Sequence, residues 1–332
     1  MINESLKLLR GLRHDSGLFS AARKNVRTGY DKAWIRDNIY CTLGLEKSDK
    51  DTVIKTFHSL LDIFLKHEYK INHAIKHKPK DSYEYIHARY NPVTLQEFHE
   101  EWGNKQNDSI GAFLFKIAEL IDKSIPVIRN MNDLRIIQKL VFYLESIEYW
   151  HDKDNGMWEE NEEVHASSVG ACLAGLKTIS KHVYVPTHLI KNGEKALKRL
   201  LPRESESKEI DLALLSLIYP YNIVSKKQAL KILENIENKL VREKGVIRYS
   251  GDGYYHLNGL EAEWCFGFPW LAIIYRNLGI TNKYYYYLQK SFECLTEDYE
   301  MPELYFGNTN IYNENTPLGW GQSLLLVALK EN

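Results

Sequence analysis

A chain of 332 residues is longer than an ordinary single domain. It therefore forms either two domains or one large closed architecture, such as a helical or α/β barrel, with enough residues for a sizeable core. Charge is nearly balanced, with Lys+Arg 43 against Asp+Glu 44. No global field favours nucleic acid or an anionic membrane, so the expected partner is neutral.

The first segment, 2–12, alternates apolar and charged residues without a continuous hydrophobic run, so it reads as a helix and not as a signal peptide. Apolar residues then recur at three- and four-residue intervals: Val53, Phe57, Leu60 and Phe64; Ile137, Leu140, Leu144 and Ile147; Val169, Leu173 and Leu176; Ile232, Leu233, Ile236 and Leu240; Leu324, Leu325 and Leu329. The spacing predicts helices over 2–12, 34–47, 51–68, 108–123, 132–150, 165–182, 188–198, 208–218, 225–240, 260–278, 283–297 and 319–330. Strand-like alternation is nearly absent. No Gly/Ser/Pro-rich linker interrupts these consecutive hairpins, which favours one closed all-α barrel over two bundles and a single domain spanning 1–332. The longest apolar stretches, Leu212 to Ile218 and Cys265 to Tyr275, fall short of the roughly 18 residues that span a bilayer. A soluble, cytoplasmic protein with no membrane partner is expected. Four scattered cysteines, Cys41, Cys172, Cys265 and Cys294, fit neither a zinc site nor a disulfide framework and read as reduced and mostly buried.

Longer polar connections occupy roughly 13–33, 69–107, 151–164, 241–259 and 298–318, and they carry Tyr, Trp, Arg and acids in place of a disordered composition. Alternate connections in a helical barrel emerge at the same end, so these five loops are expected to build one pocket.

Within 151–164, Trp158 directly precedes Glu159 and Glu160. Such an acidic run is ordinarily a solvated face. An indole beside a carboxyl, however, excludes water and disfavours its charged form, which keeps a glutamic acid protonated near neutrality. Glu303, in the last long loop, reads on its own as a surface glutamate. Glycosidic hydrolysis nevertheless needs an acid and a second carboxylate, and two loops are able to supply them. Tyr30, Trp34, Arg36 and Asp37 read either as an aromatic helix start with a local ion pair or as a sugar clamp, extended by Trp102, Arg248 and Trp270. The run Tyr284 to Tyr287 is expected to spread over core and surface. His73, His77, His87 and His99 fall in one predicted loop without the nearby carboxylate pattern of a zinc site, so no metal is expected. A nucleotide-binding loop, a dinucleotide fingerprint and a nucleophile elbow are all missing from the sequence, and no cofactor is expected.

Gly29-Tyr30 with Trp34, Arg36 and Asp37, then Trp102-Gly103 with Gln106, Asn107 and Asp108, Trp158-Glu159-Glu160, Arg248-Tyr249 with Asp252, Pro269-Trp270, and Glu303 ahead of Trp320 together resemble, in order, glycoside hydrolase family 15, the glucoamylases. IHARY (86 to 90), EYWHDKDNGMWEE (148 to 160), HASSVG (165 to 170), EAEW (261 to 264), PELY (302 to 305) and PLGW with GQSL (317 to 324) resemble still more the related amino-terminal domain of the phosphorylase kinase α and β subunits. The resemblance implies an (α/α)6 barrel of the six-hairpin glycosidase type. It also implies an inverting, exo-acting α-glucosidase working on α-1,4 or α-1,6 gluco-oligosaccharides. Glu159 would be the general acid and Glu303 the general base. Arg36, Asp37, Arg248 and Glu160 would bind sugar, and Tyr30, Trp34, Trp102, Trp158 and Trp270 would line the pocket. The kinase-subunit kinship implies an alternative, a non-catalytic glucan-binding or regulatory module. The chain has room for neither a starch-binding module nor an amino-terminal β-sandwich, which favours soluble oligosaccharides over raw starch. Oligomeric state is not legible in the sequence.

Overall fold

A computed structural model describes residues 1–100 and 102–330. Residue 101, inside the predicted loop 69–107, and the last two residues of the expected domain lie outside the described residues. Twelve α-helices form: α1 Ile2–Leu12, α2 Ile35–Leu43, α3 Lys50–Lys66, α4 Glu68–Lys76, α5 Asn107–Asp122, α6 Met131–Ser146, α7 Ala166–Ile179, α8 Thr187–Leu200, α9 Lys226–Lys239, α10 Gly267–Asn277, α11 Thr281–Glu293 and α12 Gly319–Leu329. A 3-10 helix spans Leu212–Leu217.

Burial sorts these helices into two rings. Every residue of α2 is buried, as is nearly all of α5, α7, α10 and α12 and the whole 3-10 helix. A helix covered on all sides is apolar or has its polar groups paired, as Arg36 with Asp108 and Asn38 with the Trp34 carbonyl on α2. The outer helices bury only a stripe, such as Leu189, Gly193, Ala196 and Leu197 on α8 or Ala229, Ile232, Leu233 and Ile236 on α9. Around the inner ring, α2 contacts α5, α5 contacts α7, α7 contacts the 3-10 helix, the 3-10 helix contacts α10, α10 contacts α12, and α12 returns to α2. The ring is closed, and the architecture is an (α/α)6 barrel in a single domain, as expected.

Three local departures have physical causes. The segment 208–218 coils as a 3-10 helix, with the Asp211 carboxylate accepting from the Ala213 N–H at its start (2.7 Å). Helix α4 begins at the last residue of the predicted helix 51–68 and runs on into the predicted 69–107 loop; its only buried residues are Ile71 and Ala74, too thin a stripe for periodicity to register. The apolar run before α10 is strand and turn: β3 Glu263–Trp264 pairs antiparallel with β4 Leu304–Tyr305, just as β1 Ala33–Trp34 pairs with β2 Arg89–Tyr90. These two-residue pairings tie distant loops together over one end of the barrel. All four cysteines are buried free thiols. The tyrosine run divides across α11, Tyr285 and Tyr286 exposed and Tyr287 buried. Among the described residues no helix is long and apolar enough to cross a membrane.

The inner ring is tightest between α5 and α7. A Cβ on Gly111 would stand 2.3 Å from the Cys172 nitrogen, and one on Gly175 would stand 2.5 Å from the Gly111 oxygen. Both neighbours are backbone and unable to swing aside. Gly111→Ala is therefore expected to cost about 1–3 kcal/mol, the usual cost of overpacking. Thermal unfolding followed by circular dichroism checks this: the variant melts several degrees below wild type, and an unchanged melting temperature contradicts the close approach.

Candidate active site

The five inner α-helices each begin just after a loop that reaches the same cavity. Trp34 precedes α2, Trp102 lies shortly before α5, Glu159 before α7, Phe266 before α10 and Leu318 before α12. These five N-termini thus present their positive dipole ends to that end of the barrel, which favours carboxylates there. The cavity holds about 180 Å3 and is lined from all five long loops. That is below the roughly 300–1,000 Å3 of pockets that enclose drug-sized ligands, so it suits one small unit.

Nine of the sequence-predicted residues line it: Tyr30, Trp34, Arg36, Asp37, Trp102, Trp158, Glu159, Arg248 and Glu303. Two do not. Trp270 is wholly buried on α10, where its indole donates to the Tyr219 carbonyl (2.8 Å) and packs against Tyr40, Phe266 and Trp320. It is a core residue behind the wall. Glu160 turns to the far side of Arg248, accepting from its Nη2 (2.8 Å), from Lys208 Nζ (2.5 Å) and from the Tyr249 hydroxyl (2.8 Å). Its place is to hold that arginine and not to line the cavity. Arg89, Tyr254, Trp264, Phe266 and Trp320 complete the wall. Arg89 and Trp264 fall within the IHARY and EAEW stretches, the one signal that pointed to them; Tyr254 and Phe266 carried none.

Glu159 sits at a bend. Its φ of +64° is in the left-handed region, which residues with a Cβ seldom occupy and which marks stored strain at functional sites. The neighbouring loop comes so close that a Cβ on Gly103 would stand 2.7 Å from the Glu159 carbonyl oxygen, so a glycine is needed at that position. The carboxyl is 22% exposed on the cavity wall, with Arg36 Nη2 3.6 Å away. Loss of hydration raises its pKa to about 7; Arg36 and Arg89 pull it down, and Asp37 adds to the rise. Trp158 beside it is anchored by donation from its indole to Asp211 (2.8 Å).

Glu303 is 1% exposed, so the surface reading of the sequence alone is corrected. Its Oε2 accepts from Asn315 Nδ2 (2.7 Å) and from Asn313 Nδ2, while Oε1 has no partner and the residue lines the cavity. Burial raises its pKa, and the two asparagine amides, the Tyr30 hydroxyl and the Arg248 charge oppose the rise. The side chain is thus fixed through one oxygen, and the other is buried without a hydrogen-bond partner among the described residues.

Two arginines are locked by acids. Arg36 donates from Nη1 to Gln106 (2.8 Å) and to Asp108 Oδ2 (3.1 Å), with Asp37 Oδ2 4.0 Å from its Nε. Arg248 donates from Nε (2.6 Å) and Nη2 (2.5 Å) to Asp252, and its guanidinium lies 4.9 Å from the Trp264 ring. Asp37, buried beside Arg36, is raised by that burial to about 6. A concave aromatic wall with fixed donors and two separate carboxyls is suited to grip a polyhydroxyl ring and move protons at one bond. Among the described residues no group of three or more His, Cys, Asp or Glu is placed to hold a metal ion.

The comparisons agree with this architecture. The phosphorylase b kinase regulatory subunit alpha, liver isoform, of Mus musculus is 30% identical over 283 residues, which cover 72% of this chain and 22% of that protein. The chain therefore spans about a fifth of the length of the curated relatives it matches. A glycosidase variant solved in complex with glucose shares the fold at a TM-score of 0.82 and 15% identity, covering 98% of this chain and 96% of that one. Glucoamylase from Saccharomycopsis fibuligera shares it at 0.71 and 14% identity, covering 98% and 92%. Residues 6–183 match the family described as Glycosyl hydrolases family 15, more than half of the chain. The chain belongs to that family.

Proposed function

We propose that residues 1–332 act as one catalytic domain, an inverting, exo-acting α-glucosidase that releases glucose from soluble α-1,4 or α-1,6 gluco-oligosaccharides. The observation that carries this reading is the pair of unlike carboxyls on one small cavity. Glu159 is held neutral up to about pH 7, and buried Glu303 keeps one oxygen unbonded. Glu159 protonates the glycosidic oxygen while Glu303 activates a water on the opposite face of the ring. Arg36, Asp37 and Arg248 bind hydroxyls of the terminal glucose, and Tyr30, Trp34, Trp102 and Trp158 pack on its apolar faces. Glu160 and Asp252 hold Arg248 in place. A cavity sized for one sugar supports removal of terminal units. The four buried thiols fit a reducing, cytoplasmic setting.

The direction of each pKa shift sets a pH profile. Activity needs Glu159 protonated, so it declines as pH rises through about 7. It also needs Glu303 ionised, so it declines again as pH falls through that residue's raised value. A kcat/KM profile checks this, with a basic limb near 7 expected; full activity maintained to pH 9 contradicts Glu159 as the acid.

A second reading has one observation in its favour: the curated relatives are regulatory subunits by name. In that reading the barrel binds glucan without cleaving it. Incubation with α-1,4, α-1,6 and α,α-1,1 glucosides separates the two, because the hydrolase reading fails if no glucose appears from any of them.

A further inference from the structure

We propose that the cavity mouth carries a subsite for an anionic group, phosphate or carboxylate, on the leaving part of an α-glucoside, with Arg89 and Lys32 as its ligands. The inference rests on the glucoside reading of the cavity and adds the charge class of the part that departs.

Three arginines line the cavity, and one is unlike the others. Arg36 lies among Asp37, Asp108 and Glu159, and Arg248 among Asp252 and Glu160. Their charges are compensated, so they serve neutral hydroxyls as fixed donors. Arg89 is 7% exposed; the Glu159 charge also acts on it, but its one ion pair among the described residues is with Glu100 (2.9 Å), whose side chain is 61% exposed. An ion pair to so exposed a partner contributes little, whereas burying a guanidinium is costly. Its Nε is buried and, among the described residues, without a hydrogen-bond partner, a feature it shares with Arg36, so what sets Arg89 apart is the exposure of its ion-pair partner. The group is nonetheless held firmly, with its guanidinium carbon 4.1 Å from the Trp102 ring and 5.3 Å from the Trp34 ring. It is a preorganised cation, one side on the cavity wall and the other reaching a solvent-exposed carboxylate.

Lys32 supplies the second charge, with Nζ 3.8 Å from the same Glu100 carboxylate. Glu100 therefore occupies the position between two cations that a ligand anion would take, and its exposure makes it displaceable. The terminal glucose fills a cavity this small, so the leaving part extends beyond it, and Arg89, which lines the cavity and is close enough to Glu159 for their charges to interact, is placed to meet it. A phosphate or carboxylate there makes charge-assisted hydrogen bonds to a guanidinium, whose planar fork matches both groups.

The test compares affinities within matched pairs by calorimetry, using non-hydrolysable sulfur-linked analogues so that binding is read without turnover. Maltobionate against maltitol differs by one carboxylate, and trehalose 6-phosphate against trehalose by one phosphate. Wild type is expected to bind the anionic member of at least one pair about tenfold tighter, a preference that shrinks with added salt. Preference in one pair alone assigns the source as carboxylate or phosphate. Arg89→Gln and, independently, the more exposed Lys32→Gln bring the ratio toward one, and Glu100→Gln widens it. Equal affinities within both pairs overturn the subsite, as does a preference that survives both cation variants. Glucose release from neutral oxygen-linked substrates is scored separately: its absence alongside an intact anion preference sinks the hydrolase reading and leaves the subsite standing.

Discussion

Glucose release from maltose by the Glu159→Gln variant falls by about 10²–10⁴-fold, the loss that follows removal of a general acid. The fall is in kcat far more than in KM, because the amide keeps the size of the side chain and the floor of the cavity is untouched. Arg36, 3.6 Å from that carboxyl, stays tied to Asp108 and Gln106, so the sugar-binding groups hold their positions. A substrate whose leaving group needs no proton separates this role from a structural one. With α-glucosyl fluoride the variant retains most of the wild-type rate, and an equal loss on fluoride and maltose contradicts the acid assignment.

Glu303→Ala has the opposite signature. Without the base, no group activates water, so activity falls by a similar about 10²–10⁴-fold on maltose and on the fluoride alike. In the proposed geometry the vacated space lies on the face opposite the leaving group, and a small nucleophile entering there attacks from that side. Added azide is therefore expected to restore turnover of α-glucosyl fluoride and to give β-glucosyl azide, identified by its anomeric proton. The α-azide as product removes Glu303 from the base role. Asn313 and Asn315 position that carboxylate through Oε2, so they do not substitute for it.

The barrel was largely legible because its helices repeat apolar residues at three- and four-residue intervals over ten or more residues, a signal local enough to read. What escaped was short or long-range. Two-residue strands such as Ala33–Trp34 are too brief for alternation to show, yet they bring residue 89 beside residue 34. Helix α4 buries only Ile71 and Ala74 and left no stripe.

The candidate site divides in the same way. Trp158 next to Glu159 signalled an apolar setting, and Glu159 is in fact raised by burial, but the anchoring of that indole by Asp211 lies 53 residues away in sequence. Glu303 carried no local sign of burial; its cover comes from Asn313, Asn315 and the opposite loops. Trp270 stood within a matching stretch, and only the rotation of α10 turns its side chain into the core. Arg89 illustrates the limit most clearly. Its aromatic neighbours are Trp34 from another segment and Trp102 from farther along its own loop, and no periodicity or pair spacing joins them.

The central claim is that Glu159 and Glu303 act from opposite faces of one glucose unit, and it bears on a single observable. Proton NMR of freshly released glucose, recorded before mutarotation, reads the configuration directly. The account predicts β-glucose as the first product from an α-glucoside, decaying later to the equilibrium mixture; α-glucose as the first product, or no glucose at all, contradicts it.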